Sequence, residues 1–389
     1  MKHYDYIFAG AGLSALMTVN RMAVSEKFAD KSILLIDESL KKTNDRTWCF
    51  WETPNGDPGD SELAQQFEDI VSQKWDSALF ANNHFKRILD LQPYQYKMIR
   101  GLDFYAFIFD TLSQHSNITF INEKVIDVHD DGQLVLVRLQ NHSFTCGKCF
   151  NSIFNPALTL SQNKYPVLRQ HFIGWFIKSK EAVFNPDVAT FMDFSIEQKG
   201  NTRFMYVLPT SETEALIEYT LFSKDLLPTS EYENGISDYI KNLGISEYEI
   251  LEKEHGNIPM TSFHFWENNT KNILNIGSAG GWTKASTGYT FKNTIKKSKA
   301  LIDFLLTEND LSKFHKNSKF QFYDLLLLDI LAAKNQLGSS IFSALFEKGK
   351  TASILKFLDE ETSLAEDLKI IWKCPKGLFI SALFKRIFK

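Results

Sequence analysis

A short apolar run that breaks into glycines and reopens as a helix constrains this chain more than any other stretch. Residues 4–15 read YDYIFAGAGLSA, in which the apolar segment 6–9 meets Gly10-Ala11-Gly12 and continues into Leu13-Ser14-Ala15-Leu16-Met17. This is a G-x-G-x-x-G/A pattern with Ala15 in the third place. Gly10 permits the tight turn, Gly12 lets the backbone approach a pyrophosphate, and Ala15 allows close packing of helix on strand. The helix start offers free N–H groups and the positive end of its dipole to phosphate. A second apolar strand at 32–36 ends at Asp37, where a ribose hydroxyl would be held. Glycine spacing alone is also met in ordinary βαβ turns. The order strand, glycines, helix, strand and acid favours a bound dinucleotide.

Composition removes several classes of function. A net charge of −4 lacks the basic footprint of a nucleic-acid binder. The four cysteines, Cys49, Cys146, Cys149 and Cys374, are too few for a disulfide-stapled fold. Cys146 and Cys149 have C-x-x-C spacing but no second pair, so no metal is assigned. No run of 18 apolar residues spans a membrane, and Asp5 with the two glycines suits a buried first strand better than a signal peptide. A cytoplasmic protein is expected. The 33 phenylalanines are compatible with a long apolar ligand tunnel.

Downstream, Asn44-Asp45-Arg46 runs straight into Thr47-Trp48-Cys49-Phe50-Trp51. Arg46 either contacts a phosphate or carboxylate, with the aromatics turned into the site, or simply pairs with Asp45. Residues 53–62 are a turn-rich acidic loop. Strand patterns at 75–98, 118–121, 125–128 and 134–139 surround a helical pattern at 100–112, as in a nucleotide-binding unit carrying a β-meander. Between 165 and 226 apolar runs separated by turn residues read as an antiparallel sheet, a second and substrate-facing unit. Within it Leu216, Glu218 and Thr220 share one face, and Ile217, Tyr219 and Leu221 the other. A lone carboxylate there lies on a solvated face or in a cavity, and periodicity alone favours solvent.

Residues 231–243 are helical, and 272–276 form another strand. It opens into a second glycine-rich turn, Gly277-Ser278-Ala279-Gly280-Gly281, continuing to Gly288-Tyr289 and a helix near Phe291. Gly277, Gly280 and Gly288 are assigned to the ribityl-phosphate half of a flavin nucleotide, against the alternative of a flexible loop. Helical patterns fill the rest. At 377–389 Phe379, Ile380, Leu383, Phe384, Ile387 and Phe388 share one face, and residues 368–389 carry six Lys or Arg and no acid. Such a helix either lies in a membrane interface or packs on the core.

This order of motifs resembles the lycopene cyclases of the bacterial and plant flavoprotein type. The resemblance rests on GAGLSA and Asp37, on residues 44–51, and on Arg203-Phe-Met-Tyr-Val-Leu-Pro209 leading to Ala215-Leu-Ile-Glu218-Tyr-Thr220. It extends through Gly256-Asn-Ile-Pro-Met260 and 277–289. Tyr219 replaces the motif's second carboxylate, which throws the weight onto Glu218. Asn155-Pro156 stands where related flavin monooxygenases carry Asp-Gly. Phe357-Leu-Asp-Glu-Glu-Thr362 has the motif's letters but lies in the helical part, and no catalysis is assigned to it.

The resemblance implies an α/β architecture: a Rossmann-type FAD-binding domain (1–50, 95–155 and 256–305), an inserted antiparallel substrate domain (51–94 and 156–255), and a helical C-terminal region (306–389). It implies reduced FAD, held by Gly10, Gly12, Ala15, Asp37, Arg46, Gly277, Gly280 and Gly288, with NAD(P)H as reductant. It also implies proton-initiated closure of lycopene ends into β-ionone rings with Glu218 as the acid–base residue, on a protein peripherally associated with a membrane. Trp48, Phe50, Trp51, Trp175 and Tyr289 are candidates to stabilise the cation. An FAD-dependent monooxygenase and a prenyl or geranylgeranyl reductase are the alternatives on the same scaffold.

Overall fold

The computed structural model describes residues 1–54 and 66–388, so most of the turn-rich loop at 53–62 lies outside the described residues. The chain opens with β1 (Lys2–Ala9), α1 (Leu13–Ala23) and β2 (Ile33–Asp37). Ile7, Phe8 and Ala9 are buried on both faces of β1, as expected for a strand central in a parallel sheet. It pairs in parallel with β2 and with β11 (Ser143–Asn151), and β2 pairs in parallel with β8 (Ile118–Asn122). The antiparallel meander β9 (Val125–Asp130) and β10 (Val135–Leu139) extends β11, and β17 (Ile273–Asn275) joins β11 in parallel. One face packs Phe8, Leu35 and Phe150 with Leu16 and Val19 of α1 and with Ile295 and Leu301 of α5 (Phe291–Leu305). The opposite face buries Ile7, Ile36, Val137, Cys146 and Cys149 together; both cysteines are free thiols inside this apolar layer.

The second sheet is larger in span. Its order is β16 (Tyr248–Met260), β12 (Leu168–Ser179), β15 (Glu214–Ser223), β14 (Thr202–Pro209), β13 (Val188–Asp193), β5 (Ser77–Ala81) and β6 (Lys86–Asp90). All neighbours are antiparallel except β13 with β5. Ile217, Tyr219 and Leu221 point to the face covered by Ile236 and Ile240 of α4 (Thr229–Asn242). Leu216 and Phe222 point the other way, under α6 (Lys319–Ala333), α7 (Gly338–Lys348) and α8 (Thr351–Leu358). The alternation expected around Glu218 is therefore present, but the face expected to meet water has a roof of helices.

A three-stranded sheet of β3 (Thr47–Glu52), β7 (Gln95–Arg100) and β4 (Val71–Trp75) bridges the two larger ones. The strands cross two boundaries expected from sequence. β3 runs through the one at residue 50, and β16 carries the second sheet past 256 to Met260. Hydrogen-bonded ladders do not stop where hydropathy changes.

The last helix, α10 (Lys376–Ile387), packs part of its apolar face on the protein. Ala382, Leu378, Phe379 and Leu383 pack on Leu326 and Ile330 of α6, and Arg386 binds Asp329 through two contacts of 2.6 Å. Ile380, Phe384, Ile387 and Phe388 stay exposed, as does Trp372 just before the helix. The single apolar face expected from spacing is thus divided between core and surface. Among the described residues no single helix is long and apolar enough to cross a membrane.

Candidate functional site

The α1 N-terminus, β3, the turn from Gly277 to Thr290, the inner face of the second sheet and helices α7 and α8 enclose a cavity of ≈ 470 Å³. At one end Gly12, Leu13 and Ser14 present the start of α1. Gly12 has φ −78°, open to any residue, and a Cβ built there would meet nothing within 4 Å. Its missing side chain leaves open space in front of the helix dipole, the cradle an anionic group requires. Gly10 acts differently. Its φ is +91°, and a Cβ would collide with Ser152 Oγ, so it shapes the turn without lining the cavity. Ala15 is fully buried where α1 packs on the sheet.

Asp37 does not line the cavity. Its carboxylate accepts from the N–H groups of Ala11 (2.7 Å) and Ser39 (2.8 Å) and pairs with Lys41 at 3.2 Å, bracing the glycine turn from behind. Lys41 and Arg46 line the same end. The expected alternative of an Arg46–Asp45 ion pair is not what forms: Arg46 donates to the Asp45 carbonyl at 2.6 Å, while the Asp45 carboxylate accepts from Tyr105.

The second glycine turn closes the other side. Gly277, at φ +60°, brings the backbone close to Ser14, where a Cβ would sit 3.1 Å from Oγ. Gly288, at φ +74°, faces Gln170, which lines the cavity and whose Oε1, like Thr287 Oγ1, has no hydrogen-bond partner among the described residues. Gly280 turns away: a Cβ there would strike the Asn275 carbonyl, so it serves the tight turn and is corrected out of the cavity lining. The turn is not a loose loop. Lys284 and Tyr289 are bonded through the backbone at 2.9 Å, and the buried Lys284 ammonium reaches Asp324 at 3.1 Å and Glu360 at 3.0 Å. Neighbouring carboxylates in the letter-similar 357–362 segment pair with Lys292 and Lys296. That segment is a clasp between the helical region and the glycine turn.

Deeper in lies the acid. Glu218 is only 7% exposed and lines the cavity. A second carboxylate, Glu254 of β16, is 6% exposed and lines it too. The two come together through register: Gly174 of β12 sits opposite Glu218 on one side and opposite Glu254 on the other. A Cβ at Gly174 would lie 2.8 Å from Glu218 Cγ and 3.2 Å from Glu254 Cγ, so both side chains lean over the glycine. Thr47 of β3 donates to Glu254 Oε2 at 2.7 Å. Burial first, and the neighbouring Glu254 second, hold the Glu218 carboxyl well above the usual carboxylate range.

Around this pair are Tyr96 and Tyr206, hydroxyl to hydroxyl at 2.6 Å, and Cys49, whose thiol burial pushes up to about 12. Trp51 meets Tyr289 edge-on at 4.6 Å, and both line the cavity together with Trp48. Two expected aromatics do not. Phe50 stacks on Phe291 at 4.4 Å in the first core, and Trp175 lies on the α4 side of the second sheet. The far wall is Phe342, Leu345 and Phe346 of α7 with Leu355 and Leu358 of α8.

Glu254 and this helical wall were not singled out from sequence. Glu254 sits in the charged run Glu249–Glu254, which reads as a solvated edge, and only pairing to β12 turns it inward. The usable signal was alternation: Glu252, Glu254, Gly256 and Ile258 share a face, leading into the Gly256–Met260 motif.

A family model described as lycopene cyclase protein matches residues 5–384. The chain belongs to the lycopene cyclase family. Curated relatives of this family include the lycopene beta-cyclase of Pantoea ananas, 24% identical over 296 residues covering 74% of this chain and 71% of the relative. The lycopene beta-cyclase of a Paracoccus species is 22% identical over 302 residues, covering 74% and 70%. Among solved structures, a flavoprotein/dehydrogenase from Cytophaga hutchinsonii superposes with a TM-score of 0.63 at 12% identity, covering 99% of this chain and 100% of that one. A geranylgeranyl bacteriochlorophyll reductase-like protein from Thermoplasma acidophilum gives 0.62 at 12%, with 99% and 100% coverage. A flavin-dependent brominase gives 0.62 at 13%, with 99% of both chains covered. The α/β architecture with a helical C-terminal part is thus the fold of flavin-dependent proteins.

Proposed function

We propose that this protein closes the acyclic ends of lycopene into β-ionone rings by a proton-initiated, non-redox cyclisation with reduced FAD bound. The observation that carries the reading is Glu218: a buried carboxyl, held well above the usual carboxylate range by burial, among aromatic residues in the same cavity that Gly12 and the start of α1 line. The residues present fit that cofactor. Gly12 leaves room for a pyrophosphate before the α1 N-terminus, Lys41 and Arg46 supply positive charge, and Gln170 and Thr287 offer unpartnered polar atoms. Bound reduced flavin would supply an electron-rich surface beside a developing cation, with NAD(P)H needed only to keep it reduced.

The chain's own residues do the proton work. Glu218 gives its proton to the terminal double bond of the polyene, and the next double bond closes the ring onto the cation. A proton then leaves the ring to restore a double bond, so no electrons are exchanged overall. Trp48, Trp51, Tyr96 and Tyr289 present aromatic surface that stabilises positive charge, about 0.5–2 kcal/mol per ring. The walls of α7 and α8 exclude the water that would otherwise capture the cation. Entry of so apolar a substrate fits a protein bound peripherally to a membrane from the cytoplasmic side, through exposed Trp372, Ile380, Phe384, Ile387 and Phe388 beside Lys373, Lys376 and Lys385.

The test is purified Glu218→Gln with lycopene in liposomes, FAD and NADPH under anaerobic conditions. Loss of cyclic product by ~100-fold or more, with flavin still bound, is the expected result; cyclisation at the wild-type rate removes Glu218 from the mechanism. The monooxygenase or prenyl-reductase alternative has the shared fold in its favour and differs in stoichiometry: it consumes one NAD(P)H for each hydroxylation or each double bond reduced.

A further inference from the structure

Resting on that reading, the geometry points to Glu254 as a second catalytic carboxylate: Glu218 delivers the proton that starts cyclisation, and Glu254 removes the proton that ends it. Nothing in the letters around Glu218 supplies a partner acid, since the next residue is Tyr219, which points into the α4 layer and binds Arg203 at 2.7 Å. The fold supplies one from another strand. Glu218 and Glu254 belong to β15 and β16, two strands apart, and their backbones would be separated by about 9–10 Å at ordinary strand spacing. Gly174 between them carries no side chain, and the Cγ methylenes of both glutamates lean into the gap it leaves, bringing the two side chains together. The neighbouring Glu254, after burial, helps hold the Glu218 carboxyl well above the usual carboxylate range.

Thr47 Oγ1 donates to Glu254 Oε2, so a hydroxyl from β3 holds that carboxyl in place as an acceptor, while Glu218 is the carboxyl that burial raises. The reaction asks for a donor and an acceptor acting at two different carbons, one at the chain terminus and one in the new ring. Two carboxyls at one height on the strands either side of β12 meet that need. The balance closes: the Glu218 O–H bond breaks as a C–H bond forms, then a ring C–H bond breaks as a Glu254 O–H bond forms. The proton returns across the carboxyl pair to Glu218, and the site is reset with no net uptake. Because the acceptor's position determines which ring proton is lost, Glu254 also determines where the ring double bond ends.

The experiment compares wild type, Glu254→Gln and Thr47→Val as reduced, flavin-loaded proteins with lycopene in liposomes, reading both lycopene consumption and the double-bond position of the rings. Flavin content and thermal midpoint identify any variant that has not folded; Thr47→Val, which keeps the carboxylate and removes only its hydrogen bond, is the milder probe. Glu254→Gln is expected to slow ring formation at least tenfold and to shift product from β rings toward ring isomers or a water-captured alcohol. Thr47→Val moves both readouts in the same direction by a smaller factor. A merely structural role for Glu254 would slow all products alike, and an unchanged ring composition in both folded variants overturns the assignment. If wild type consumes no lycopene, the cyclase reading fails instead, and the two failures are told apart by that control.

Discussion

Replacing Glu218 by glutamine keeps the shape of a neutral carboxylic acid and removes its ability to ionise. The consequence for stability is opposite to the consequence for catalysis. In the folded protein burial, then Glu254, raise the Glu218 carboxyl above its ordinary value of 4.5. Above that pH the unfolded chain releases a proton that the folded protein still holds, so wild-type stability falls as pH rises toward the folded-state value. Each pH unit in this window costs about 1.4 kcal/mol, or about 1–3 °C in thermal midpoint for a chain of this size. Glutamine carries no such penalty, and its amide can still donate to Glu254. Thermal midpoints of both proteins, measured from pH 4.5 to 8.5, should therefore separate progressively with the inactive variant the more stable. Other buried groups nearby, Cys49, Tyr96, Tyr206 and Tyr289, are common to both proteins and cancel. A variant less stable than wild type at pH 8, or a difference that does not grow with pH, would refute the claim that Glu218 is held neutral by its surroundings.

Gly12→Ala is expected to fold with an unchanged melting temperature yet lose most of its flavin, because its methyl group enters open space in the cradle, whereas Gly10→Ala loses stability as well through its φ of +91° and the clash with Ser152; flavin absorbance and melting curves on the two proteins separate them. Lys284→Met leaves Asp324 and Glu360 unpaired against the glycine turn and should destabilise by about 3 kcal/mol, read as a drop in thermal midpoint that Lys316→Met, at the surface, does not reproduce. Removing residues 377–389 should reduce co-sedimentation with anionic liposomes, and an unchanged bound fraction would exclude α10 as the membrane contact.

Much of the first sheet was legible because its information is local. A strand, two glycines, a helix and a second strand follow one another within 37 residues, and each step has its own side-chain requirement. The same holds for the alternation through Leu216, Glu218 and Thr220, which set the two faces of β15 correctly. What went unread was how those faces are covered. Periodicity placed Glu218 on the solvated side because nothing near it in sequence announces α7 and α8, more than 110 residues later, as a roof. Gly280 and Asp37 lie outside the cavity lining, since a Cβ at one would strike the Asn275 carbonyl and the carboxylate of the other is engaged by the N–H groups of Ala11 and Ser39, contacts that no local motif announces.

By itself the sequence determined the nucleotide-binding turn, the order of strands and helices around it, and the identity of one acid on an apolar strand. Only the tertiary structure decided that this acid is buried, and that it has a second carboxyl, Glu254, beside it. Glu218 and Glu254 are separated by 36 positions and by a helix, and they meet because two different strands pair with β12 in registers that both pass through Gly174. Register is a property of ladders between distant segments, and the space left by a missing side chain has meaning only when one knows which neighbours lean into it.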